Sequence, residues 1–137
     1  MSELGDLFNK YGCDKTRKHQ YDCVYAPVMD TMMNKRINIL EVGVFNGHST
    51  EACLQYLPMA NMYGVDIFTR TKPQDLNCYT YDRADWIKAS STDPSIAREI
   101  RSKWGDIKFD VIIDDGMHTP KANMQTFKNL SPFLADD

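Results

Sequence analysis

The chain has no apolar run long enough to cross a bilayer, which takes about 20 residues as a helix. Its N-terminus is acidic and amphipathic and has no apolar h-region, so it does not read as a signal peptide. A basic excess is also missing. Sixteen Lys and Arg face nineteen Asp and Glu, for a formal charge of −3, which argues against an extended polyanion such as nucleic acid as partner. The local cluster Lys15, Arg17, Lys18 and His19 reads as a solvated loop. Cys13, Cys23, Cys53 and Cys78 form no CxxC pair and no Cys/His pattern of the structural-zinc kind. They read as reduced thiols of a cytoplasmic protein, with Cys53 a small core residue. There is no internal repeat and no low-complexity linker. The 137 residues suit one domain, residues 1–137, with an N-terminal helical segment over 1–36.

What is present is an alternation of two hydrophobic periods. Ser2 can cap a short helix to about Lys10, ended by Gly12, and a second helix is expected over Tyr25 to Met33. From Ile37 to Val42 the pattern becomes a short apolar run ending in glycine, the mark of a buried strand. A helix is expected from Ser49 to Tyr56, a strand from Met62 to Asp66, and a strand from Trp86 to Ala89. Residues 67–85 follow no clear period. Asp93-Pro94 starts a helix to Trp104, in which Ile96, Ile100 and Trp104 share a face. Phe109 to Asp114 is the clearest strand. Thr119-Pro120 opens a last helix, with Met124, Phe127 and Leu130 expected on one apolar face. Such alternation implies right-handed crossovers and a doubly wound parallel α/β sheet, in the order 3-2-1-4. Ligands of such sheets bind beyond the carboxyl ends of the strands, where the winding reverses between strands 1 and 4.

Three groups of residues fall there. The first is Glu41-Val42-Gly43-Val44-Phe45-Asn46-Gly47-His48-Ser49, a strand-to-helix turn bracketed by two glycines. Glycine allows close approach of a ligand to the backbone, and the next helix offers free N–H groups. Glu41, Gly43, Gly47 and Ser49 are the candidate contacts. The second is Asp66, where a strand-end carboxylate can accept both ribose hydroxyls of an adenosine. Turn and acid together indicate an adenosine ligand. The Gly43-xxx-Gly47 spacing departs from the GxGxxG dinucleotide fingerprint, which disfavours an NAD-linked oxidoreductase. The third is Asp114-Asp115-Gly116-Met117-His118. Its paired carboxylates, Asp114 and Asp115, can hold a hard cation such as magnesium, and His118 can take a proton from a hydroxyl. The plainer alternative for Asp115 and His118 is that they only satisfy backbone groups of the turn.

These segments resemble a known family. Ile39 to Ser49 resembles methyltransferase motif I, and Tyr63-Gly64-Val65-Asp66-Ile67 resembles the second motif. Phe109 to His118 resembles the "FDxIIDDGSH" segment of the macrolide-sugar O-methyltransferases, the mycinamicin and macrocin type. Tyr11-Gly12-Cys13-Asp14-Lys15, with His19, Tyr21 and Tyr25, resembles that group's N-terminal "KYGxDK…H-x-Y" segment. The resemblance implies a Rossmann-like class I fold that binds S-adenosylmethionine through Glu41, Gly43, Gly47 and Asp66. It implies a magnesium-assisted O-methyl transfer to a small-molecule acceptor, a sugar or glycosylated product. Asp114 and Asp115 would be metal ligands, and His118 the base, with Asp115 beside it in the catalytic set.

Two departures stand out. The family's "GDQSDP" after strand 3 is Ala89-Ser90-Ser91-Thr92-Asp93-Pro94 here, so Ser90 stands where an acid would accept from the adenine amino group, and Ser91 could substitute. The family also continues into further strands, and the expectation is a sheet lacking those C-terminal strands. That would leave the edge of strand 4 to a homo-oligomer contact or a partner chain. The alternative reading is a non-catalytic or degenerate adenosine-ligand module.

Overall fold

The computed structural model describes residues 34–116 and 119–135. The two helices expected before residue 34 lie outside the described residues. Four parallel strands form one sheet: β1 (Asn38–Val42), β2 (Asn61–Asp66), β3 (Ala84–Lys88) and β4 (Val111–Asp114). Their order is β3-β2-β1-β4, the order expected. Helix α1 (His48–Tyr56) follows β1, α2 (Ile96–Trp104) follows β3, and α3 (Pro120–Leu130) follows β4. The connection from β2 to β3 carries two short 3₁₀ turns, Pro73–Asp75 and Asn77–Thr80.

Alternation along β1 divides the core in two. Ile37 and Ile39 point to the α1 face, where they pack with Cys53, Leu54, Leu57, Met62, Cys78 and Ile113. Leu40 and Val42 point to the other face, with Val65, Ile87, Ile96, Ile100, Phe109 and Leu130. Each fully buried Leu or Ile of this kind contributes roughly 1.5–3 kcal/mol. Cys53 and Cys78 are both buried within the first of these clusters. Burial, then the Glu41 and Glu51 charges, push the Cys78 thiol up to about 12.

Three local expectations shift. α2 begins at Ile96 rather than Asp93, because Asp93 to Ser95 first forms a turn. Asp93 Oδ1 accepts from Ser95 N at 3.0 Å, and Asp93 O accepts from Ile96 N at 3.0 Å. β3 begins at Ala84, two residues earlier than expected, because its register with β2 starts at the Met62–Ala84 pair. The apolar face of α3 is the larger difference. Met124 is 68% exposed and Phe127 66% exposed, whereas Ala122, Thr126 and Leu130 face inward. Polar attachment sets this rotation: Thr126 Oγ1 pairs with Ser91 Oγ at 2.8 Å, and Asn129 Nδ2 donates to Ser91 O at 2.9 Å. The β4 edge is paired at its entrance, where Phe109 bridges Leu134 in parallel.

The carboxyl end of α1 is held from β3. The last carbonyls of a helix have no partner within it. Here the Arg83 guanidinium, on the residue before β3, donates to Leu54 O at 2.8 Å, Leu57 O at 3.1 Å and Ala60 O at 2.6 Å. Arg83→Ala is expected to lower unfolding stability by about 2 kcal/mol, the scale of charge-assisted bonds to a partly buried helix end. Arg83→Lys should recover less than half, since an ammonium cannot reach three carbonyls in a fork. Urea unfolding of the three proteins checks this; an unchanged midpoint for Arg83→Ala would show the bonds to be dispensable.

Candidate ligand site at the carboxyl end of the sheet

β1 and β4 are neighbours, and the winding reverses between them. The groups singled out from the sequence lie at the carboxyl ends of β1, β2 and β4. Glu41 belongs to β1 and is 1% exposed. It shares the α1 face of the sheet with Ile39, and it accepts hydrogen bonds from the Ser49 and Thr50 hydroxyls of the first turn of α1. Burying a carboxyl group without partners is costly. The two hydroxyls meet that cost and fix α1 above β1. The Ser49 hydroxyl is thus directed at Glu41.

The turn between Val42 and His48 depends on its two glycines. Gly43 has φ 86° and its N–H donates to Val65 O at 3.0 Å. A Cβ there would lie 2.2 Å from Asp115 O, so the backbone after β4 crosses directly over Gly43. Gly47 has φ 79°, precedes α1, and offers no side-chain cap to the helix N–H groups. Those N–H groups face the carboxyl end of the sheet with the positive end of the helix dipole.

Asp66 ends β2 and is half-buried. Its Oδ2 accepts from Phe45 N at 2.9 Å and its Oδ1 from Phe68 N at 2.9 Å. The carboxylate therefore touches both the glycine turn and the chain leaving β2. A carboxylate offers about four acceptor positions, so two remain for a ligand.

Asp114 is exposed, and its Oδ1 accepts from Gly116 N at 3.2 Å. Asp115 is half-buried, and its N–H donates to Val42 O at 2.8 Å. Among the described residues, no group of three or more His, Cys, Asp or Glu side chains is placed to hold a metal ion. The donor chemistry still suits magnesium, which takes one or two carboxylates and completes its shell with water. His118 lies outside the described residues. Ser90 Oγ pairs with Thr92 Oγ1 at 2.7 Å within the turn after β3. Ser91 directs its hydroxyl and carbonyl to α3, as described above.

Sequence reasoning missed Thr50, Phe45, Phe68 and Tyr79. The Ser49-Thr50 pair, eight and nine residues beyond a strand-end acid, was the available signal for Thr50. Phe45 and Phe68 hold left-handed backbones, φ 57° and 50°, which no side-chain pattern announces. Tyr79 lies in the stretch without a period. Its ring packs against Phe68 and Trp86, and its hydroxyl fills the space over Gly64, where a Cβ would lie 2.2 Å away. Burial, then Cys78, Glu41, Asp66 and Asp85, push the Tyr79 phenol far above its ordinary value. Tyr79 Oη and His48 Nδ1 are buried without a hydrogen-bond partner among the described residues.

No family model matches the chain. Solved structures share its fold. MycE methyltransferase from the mycinamycin biosynthetic pathway, in complex with Mg and SAH, superposes with a TM-score of 0.83 at 23% identity, over 98% of this chain and 37% of that one. A putative O-methyltransferase from Nostoc punctiforme gives a TM-score of 0.52 at 17% identity, over 85% of this chain and 37% of that one. The fold is therefore that of the Rossmann-like methyltransferases.

Sequence relatives are more particular. The chain is 30% identical to the L-olivosyl-oleandolide 3-O-methyltransferase of Streptomyces antibioticus, over 96% of this chain and 34% of that protein. It is 26% identical to the 8-demethyl-8-alpha-L-rhamnosyl tetracenomycin-C 2′-O-methyltransferase of Streptomyces olivaceus, over 96% and 34%. It is 26% identical to the mycinamicin VI 2″-O-methyltransferase of Micromonospora griseorubida, over 96% and 33%. The chain is similar to these three O-methyltransferases, and it spans about a third of their length.

The Gly64–Tyr79 contact makes a test of how tightly the floor of this site is packed. Gly64→Ala would place its Cβ 2.2 Å from Tyr79 Oη and 2.7 Å from Val44 Cγ2. Overpacking of this kind costs about 1–3 kcal/mol. Tyr79→Phe alone is expected to be neutral or stabilising, because it removes a buried hydroxyl that has no partner among the described residues. In the Tyr79→Phe background the cost of Gly64→Ala should fall by about half, since the Val44 contact remains. Thermal unfolding of the four proteins reads this, and strictly additive effects would contradict the packing described.

Proposed function

We propose that this chain carries the S-adenosylmethionine site of an O-methyltransferase that acts on a hydroxyl of a small molecule, a sugar or glycosylated product. The observation that carries the reading is the joint placement of the Gly43–Gly47 turn and Asp66 beside the β1/β4 reversal, in a chain whose relatives methylate sugar hydroxyls over 96% of its length.

In this reading Asp66 accepts the ribose hydroxyls on its two outward acceptor positions. Gly43 and Gly47 keep the turn free of side chains, so that the methionine half can lie against backbone N–H groups at the start of α1. Glu41, held by Ser49 and Thr50, supplies a negative charge under that end. Ser90 and Ser91 border the adenine side through the turn after β3. Bound S-adenosylmethionine supplies an electrophilic methyl group, and bound magnesium supplies positive charge near the acceptor oxygen. Asp114 and Asp115 would hold the metal, with water completing its shell. His118, the candidate base, with Asp115 as the other catalytic candidate, would take the proton from the acceptor hydroxyl as its oxygen becomes the nucleophile. The attack is on a saturated carbon, so holding the two reactants in line is the larger part of the task.

Two features extend the reading. The four cysteines, which lack the paired spacing of a disulfide framework, favour a reducing, cytoplasmic setting. Among the described residues, the outer edge of β4 meets no further strand, the isolated Phe109–Leu134 bridge lying just before it, which favours a second chain, a homo-oligomer or another partner, along that edge.

Isothermal titration with S-adenosylhomocysteine, with and without magnesium, tests the site. Micromolar binding is expected, weakened about tenfold or more by Asp66→Ala. A folded chain that binds none would remove the reading. Binding without turnover on any glycosylated acceptor would favour the non-catalytic module.

A further inference from the structure

Among the described residues, two hold positive φ without being glycine: Phe45 at 57° and Phe68 at 50°. Bulky L-residues avoid that region, because Cβ crowds the following carbonyl. Such strain persists only where the surroundings impose it. Both residues donate their backbone N–H to one carboxylate, Phe45 to Asp66 Oδ2 and Phe68 to Asp66 Oδ1, each at 2.9 Å. Phe45 is 55% exposed, so packing of its ring does not hold it. Its carbonyl accepts from Thr71 Oγ1 at 2.9 Å, and the Arg70 guanidinium lies 6.0 Å from its ring centroid. The segment after β2 thus grips Phe45 by its N–H, its carbonyl and its ring.

We propose that Asp66 is a positioning residue for the turn between β1 and α1. Its carboxylate is a latch that holds Phe45 and Phe68 in their left-handed conformations, so ligand contact and turn geometry are coupled through one side chain. The proposal rests on the reading of this turn as the cofactor site. Charge-assisted acceptance of two N–H groups offsets the backbone strain. A ribose diol on the outward lone pairs leaves both latch bonds intact. Loss of Asp66 therefore costs the ligand twice: once in direct hydrogen bonds, and once in a turn no longer shaped to receive it. Glycine at position 45 removes the need for the latch on that side, because it adopts positive φ freely.

The test compares S-adenosylhomocysteine with its 2′,3′-dideoxy analogue by calorimetric titration. Wild type is expected to bind the analogue about tenfold more weakly, the scale of hydrogen bonds to a charged group. Asp66→Ala is expected to lose about a hundredfold for S-adenosylhomocysteine, and to bind both ligands equally, if a similar factor is lost again with the turn. Adding Phe45→Gly to Asp66→Ala should recover much of the second factor without restoring discrimination between the ligands. If Asp66→Ala binds both ligands only as weakly as wild type binds the analogue, Asp66 is a ligand acid alone and the proposal is overturned.

If wild type binds neither ligand, the functional reading fails, and thermal unfolding decides the latch by itself. Phe45→Gly should then raise the midpoint of Asp66→Ala while leaving wild type unchanged or lower; equal effects in both backgrounds overturn it. Should Asp66→Ala fail to fold, the isosteric Asp66→Asn serves in its place. The Phe45 and Phe68 amide proton resonances should both move between wild type and Asp66→Asn, because both N–H groups lose the same charged acceptor. A change at one amide alone, or at neither, would contradict a shared latch.

Discussion

The buried carboxyl of Glu41 is the constraint on which the rest of the site depends. It stands in the central strand, 1% exposed, where an unsatisfied polar group would be costly. The Ser49 and Thr50 hydroxyls satisfy it, and they can do so only if the first turn of α1 lies directly over the end of β1. Only five residues, Gly43 to Gly47, then connect β1 to α1. A connection that short, between fixed ends, needs unusual backbone. Positive φ at Gly43 and Gly47 supplies it. The turn's shape thus follows from a polar group that had to be paired.

The turn in turn orders its neighbours. The backbone after β4 crosses Gly43 so closely that any side chain there would meet Asp115 O. Asp66 grips the turn from the other side. The acidic turn after β4 and the acid after β2 are therefore registered to each other through one five-residue connection. Enzymes that transfer a group between two bound molecules need such registration, because small misplacement of either reactant is costly in rate.

Much of this was legible in the sequence because it rests on period and punctuation. The strand order 3-2-1-4 follows from alternating elements and the handedness of crossovers. Glu41, Gly43, Gly47 and Asp66 were readable from their places at strand ends. What was not legible is of three kinds. The connection from β2 to β3 carries two 3₁₀ turns, whose short runs have no helical or strand period, and Tyr79 was hidden there. The rotation of α3 was misjudged because Met124 and Phe127 look like a core stripe. The helix is instead seated by Thr126 and Asn129 on Ser91, a tertiary pairing that period cannot show. The left-handed backbones of Phe45 and Phe68 come with hydrogen bonds from their N–H groups to Asp66, a tertiary pairing that no side-chain pattern announces. The placement of His118 falls outside the described residues, and its role stands on the resemblance of the "IDDG-x-H" segment.

The central claim is that an adenosine-type ligand binds against the turn and Asp66. Backbone amide spectra recorded as S-adenosylhomocysteine is added test it most directly. The account expects shifts concentrated at residues 43–49, 66–68 and 114–116, with little change at the opposite ends of the strands. Binding that moves other amides and leaves those of the turn and Asp66 in place would contradict it.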